Sequence, residues 1–156
     1  MKTIERMIKE HGGLAAVQAN YLSIENPPYM RLVVEIVGTI FPNGICEVSV
    51  AHYGTQNGDA MKDPEVTFFV TPQPDGAWQW HPLTFTNDYV NVYQVAAEYD
   101  NFGQLRVRNA KLVLDLTGFT EMWDRNLKEQ GFLEAFRQQH ARTFNGEQIG
   151  ATHATP

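Results

Sequence analysis

The chain reads as a single α+β domain: an antiparallel sheet meander of about six strands, with an N-terminal helix and C-terminal helices packed on one face. Three observations predict this. Apolar residues recur at helical spacing only near the two ends of the chain. Between them, apolar and polar residues alternate in short runs separated by turn signals. Helix and strand never alternate along the chain, which excludes a parallel βαβ build. With 156 residues there is enough chain for one core and too little for two.

The first helix is expected from Thr3, read as its N-cap, with Glu5 in the first turn and Ile4, Met7 and Ile8 on one face. Gly12-Gly13 ends it, and Leu14–Val17 adds a short helical turn. Tyr21–Glu25 reads as a strand stopped by Pro27-Pro28, followed by Met30–Val37 with Leu32, Val34 and Ile36 on one face. Pro42-Asn43-Gly44 signals a hairpin into Ile45–Tyr53, where Cys46, Val48 and Val50 alternate with Glu47 and Ser49. An eleven-residue loop is expected next, then a strand at Val66–Val70, a turn at Pro74-Asp75-Gly76, and a strand at Trp78–Phe85 edged by Pro82. Tyr89–Tyr99 and Gln104–Arg108 are expected to pair about Asp100-Asn101-Phe102-Gly103. Leu112, Leu116, Phe119, Trp123 and Leu127 then mark a long helix, ended by Gly131 and Phe132, and a second helical piece runs towards Arg142. The domain is assigned to residues 1–145, and 146–156 to a flexible tail.

Charge is unevenly distributed. Net charge is −6, and between residues 32 and 105 the single base Lys62 stands against nine acids, a net of −8. Such a segment disfavours phosphate binding, which needs clustered Lys and Arg. A DNA-binding role would rest on Arg106, Arg108 and Lys111. No apolar stretch is long enough to span a bilayer, and charged residues interrupt the region where a secretory signal would sit. A cytoplasmic protein is expected, with no membrane contact.

Several chemistries lack their residues. Ser23 and Ser49 are the only serines and neither sits in a G-x-S-x-G elbow. Cys46, the single cysteine, falls in phase with core residues. Phosphate-binding loops and dinucleotide fingerprints are absent. No cofactor is expected. Two groupings remain. His52, Asp59, Asp63 and Glu65 carry nitrogen and oxygen donors suited to a divalent metal and hence to hydrolysis. Against this, a strand-end histidine is more often a hydrogen-bonded core or rim residue, and Asp63-Pro64 more often a turn. Trp78 and Trp80, two residues apart, share one face of a strand; they are core or, if that face is not the one the helices cover, a platform for a partner with Tyr53, Gln56 and Asn57. Glu121, Asp124, Arg125 and Lys128 read as a self-paired solvated helix face.

Three stretches together resemble a known group: Tyr21-Leu22-Ser23-Ile24-Glu25-Asn26-Pro27-Pro28-Tyr29-Met30; Ser49-Val50-Ala51-His52-Tyr53 leading to Gln56-Asn57-Gly58-Asp59 and Asp63-Pro64-Glu65; and Trp123-Asp124-Arg125-Asn126-Leu127 to Glu129-Gln130-Gly131-Phe132-Leu133. Over residues 1 to about 137 the chain resembles an uncharacterised family of small bacterial proteins carried on conjugative and integrative elements and plasmids. The resemblance implies an intracellular accessory of mobile DNA and assigns no catalytic residue. The leading expectation is therefore a non-enzymatic protein that meets a protein partner through its acidic, aromatic-bearing sheet region. The alternative is a metal-dependent hydrolase using the residue 52–65 cluster.

Overall fold

A computed structural model describes residues 1–150, with side chains as far as Ala141. The order is α1 (Lys2–His11), α2 (Leu14–Ala19), β1 (Leu22–Asn26), β2 (Tyr29–Val37), β3 (Cys46–Gln56), β4 (Asp59–Pro72) and β5 (Trp78–Asn87). A 3-10 turn at Asp88–Val90 follows, then β6 (Val92–Val95), β7 (Ala97–Tyr99), β8 (Leu105–Val107), α3 (Ala110–Glu129) and α4 (Phe132–Gly150). Strands β1 to β6 form one antiparallel sheet in sequence order, and β7–β8 form a separate hairpin. The expected tail begins within the span of α4 and otherwise, at 151–156, lies outside the described residues. Among the described residues no helix is long and apolar enough to cross a membrane.

Alternation along the strands decides which face is covered. Leu32 and Val34 of β2, Cys46, Val48 and Val50 of β3, and Val66, Phe68 and Val70 of β4 are all fully buried. They meet Ile4, Met7 and Ile8 of α1, Trp123 and Leu127 of α3, and Phe132, Leu133 and Phe136 of α4. On the other face a smaller cluster of Phe69, Leu83 and Ala97 packs with Tyr99 and Leu105 of the β7–β8 hairpin and Val113 of α3.

Two local expectations are corrected. The eleven-residue loop is instead the far end of a hairpin: β3 and β4 pair out to Gln56↔Asp59 around a two-residue turn at Asn57-Gly58. Both turn residues have positive φ, 51° and 86°, which Asn and Gly tolerate and which suits the strand twist. Thr3 lies inside α1 and is not its cap. Its N–H donates to Asp124 Oδ1 at 3.1 Å and Oδ2 at 3.2 Å, so a carboxylate from α3 satisfies the free end of α1.

The two sheet margins differ. At β1, the side-chain amide of Gln139 on α4 accepts from the Glu25 N–H at 3.1 Å and donates to its carbonyl at 2.8 Å. A side chain thus occupies the place of a neighbouring strand. At the other margin β6 is short and pairs with only the Thr84–Asn87 half of β5.

Candidate functional site

Trp78 and Trp80 project from β5 on the helix-covered side, because their partners across the ladder are Pro72 and the core residue Val70. Both are half-buried. Trp80 stands edge-on to Phe68, ring centres 5.3 Å apart, and its Nε1–H donates to Glu5 Oε2 at 3.4 Å. Lys9 Nζ lies 4.9 Å from the centre of the Trp78 ring, an attraction between ammonium and π-face. The same ammonium donates to Glu5 Oε1 at 2.6 Å and to the Gly76 carbonyl at 2.8 Å. Helix α1 is thereby tied along β5, and a groove of about 530 Å³ remains between α1, α3 and the two indoles.

The groove has an aromatic floor and a mixed rim. Lys2, Glu5, Arg6 and Lys9 come from α1, and Thr117, Thr120 and Glu121 from α3. Arg6 also reaches Glu10 at 3.4 Å, and the pKa of Glu10 is lowered chiefly by its hydrogen bond with Arg137. An aromatic floor with a few polar groups at the lip offers a surface that can bind and orient a ligand.

The residue 52–65 set is not brought together. His52 is buried on the helix side between Trp123 and Phe132, ring centres 5.6 and 5.4 Å away, with Nδ1 3.0 Å from the Met30 carbonyl. Glu65 lies on the opposite face, where it accepts from Ser49 Oγ at 2.8 Å and Lys62 Nζ at 2.7 Å. Asp63 accepts from Asn87 Nδ2 at 2.7 Å, and Asp59 is exposed at the hairpin tip. Among the described residues no group of three or more His, Cys, Asp or Glu is placed to hold an ion.

The expected partner platform is likewise divided, and Trp78 and Trp80 lie on the helix-covered face, packed against the core, where no exposed platform is expected. Tyr53 faces away from the tryptophans, with the Arg31 guanidinium 5.8 Å from its ring centre, and Gln56 and Asn57 sit at the hairpin end. Cys46 is fully buried, and desolvation pushes its thiol up to about 11. The three bases considered for DNA are engaged: Arg106 with Asp100 at 3.3 Å, Arg108 with Glu98, and Lys111 with Asp115 at 2.6 Å. Of these, Arg106 and Arg108 offset two of the middle segment's carboxylates, Asp100 and Glu98. Sequence reasoning found the indoles but missed the walls that α1 and α3 supply, since nothing local links Glu5 or Lys9 to residues some seventy positions away.

Residues 2–133 match the family model described as Domain of unknown function (DUF6908). Neither the curated proteins nor the solved structures contain a match.

Proposed function

The chain belongs to the family Domain of unknown function (DUF6908), and we propose that it is a non-enzymatic binding protein whose sheet region, through the groove over Trp78 and Trp80, contacts a protein partner. One observation carries this reading: two half-buried indoles share a groove of about 530 Å³ whose rim is polar. Tryptophans in such settings dominate interface energetics, single truncations costing about 2 kcal/mol or more. The groove offers an aromatic binding surface, and its charged rim pair, Lys9 and Glu5, is tied up holding α1 to β5, which favours recognition. The resemblance to proteins of conjugative elements and plasmids supplies the context: a cytoplasmic accessory of mobile DNA.

The test is affinity capture from host lysate with the full chain, the Trp78→Ala/Trp80→Ala variant, and Gln56→Ala at the distant hairpin as control. A partner retained by the wild type and by Gln56→Ala but lost by the tryptophan variant, with folding verified by circular dichroism, is the expected result. Capture that is indifferent to the tryptophans, or no capture at all, ends the proposal.

A further inference from the structure

The outer side of β5 is half unused. β6 pairs with Thr84–Asn87, so Trp78–His81 has β4 as its one strand neighbour among the described residues. The turn before β5 fixes which peptide groups face outward. Gln73 N–H donates to the Ala77 carbonyl at 2.8 Å, and hydrogen-bonded pairs in an antiparallel ladder recur every second residue. Thr71↔Gln79 and Phe69↔His81 are therefore the bonded pairs, and Gln79 and His81 direct their N–H and C=O at β4. Trp78 and Trp80 direct theirs at the open side. The same two residues thus supply the groove floor with their side chains and, with their backbones, a stretch of edge that has no second strand among the described residues. Pro82 has no N–H and closes the run of donors.

We propose that the partner binds by strand addition: an extended segment pairs with the Trp78–Trp80 edge and places every second side chain in the groove. This inference rests on the reading of the groove as a partner site. Alternate residues in a strand lie about 6.8 Å apart, so four or five residues suffice to span the edge. Positions facing the indoles are apolar. Acidic residues flank them, because Lys2, Arg6 and Lys9 outnumber Glu5 and Glu121 on the rim, and the Arg6 and Lys9 side chains are 65% and 44% exposed. Main-chain bonds give such a complex its affinity and the alternate pockets its selectivity.

The experiment pans a phage-displayed library of random nonapeptides on the full chain and scans the enriched sequences with N-methylated residues. The expected result is enrichment of alternating apolar sequences with acidic neighbours. N-methylation is expected to weaken binding at least tenfold at every second position and little at those between, and Lys2→Ala/Arg6→Ala to weaken it several-fold. Peptides that require Trp78 and Trp80 yet ignore N-methylation, or that enrich basic residues, overturn strand addition by an acidic segment and leave the groove reading standing. No enrichment, or binding that survives Trp78→Ala/Trp80→Ala, overturns both. A dimer in sedimentation that Trp80→Ala abolishes makes a second copy the occupant and also overturns the proposal.

Discussion

His52 is 9% exposed, and burial pushes its pKa below the ordinary value near 6.5, against a smaller upward pull from the Met30 carbonyl. The folded protein therefore holds the ring neutral. As pH falls through about 6.5 the unfolded chain takes up a proton that the folded chain resists, so stability is complete above that value and declines towards the lowered pKa. His81, also lowered by burial, titrates in the same window and direction. Chemical denaturation between about pH 7.5 and 5.5 is expected to show this loss, with a shallower slope for His52→Phe; identical slopes would show that the imidazole is not its source. On the opposite face, Glu65 is 8% exposed and shared between Ser49 and Lys62. Lys62→Met leaves the carboxylate with one donor and is expected to cost about 1 kcal/mol, the low end for such a pair because the lysine is one-third exposed. Restoration in Lys62→Met/Glu65→Leu, measured by urea midpoint, would confirm the pairing, and a neutral single variant would refute it.

At the scale of elements, the hairpin turn at Asn57-Gly58 is the clearest case of a feature present in the sequence and passed over. Its signal is the dipeptide itself, but Thr55, Gln56, Asp59 and Lys62 give the flanks no apolar alternation. These strands extend because the ladder propagates outward from the buried Val50↔Val66 pair, not because their side chains require it. Gly58, at φ +86°, is expected to lose about 1 kcal/mol on replacement by Ala, read as a lower thermal midpoint; no change would argue against the turn. Elements whose apolar pattern is buried on one side, such as β2 and α3, were legible because period and burial agree. The start of α1 was not, since its cap comes from Asp124, far along the chain. Asp124→Ala is expected to lower stability by about 1 kcal/mol and to speed amide exchange at the start of α1; unchanged exchange there would sink the assignment.

For the molecule as a whole, the core is a seam between one sheet face and four helices, where Val17, Leu127 and Phe132 are buried. That architecture follows from where each periodicity lies along the chain. The candidate site was half visible: spacing put Trp78 and Trp80 on one face, but the helices that turn that face into a groove arrive from both ends of the chain. Two carboxylates of the acidic middle segment, Asp100 and Glu98, pair with Arg106 and Arg108 just beyond it. The Gln139 amide seated on the Glu25 backbone has a final consequence. A strand cannot pair at Glu25 without first displacing that amide, so lateral growth of the sheet is disfavoured at this point of β1.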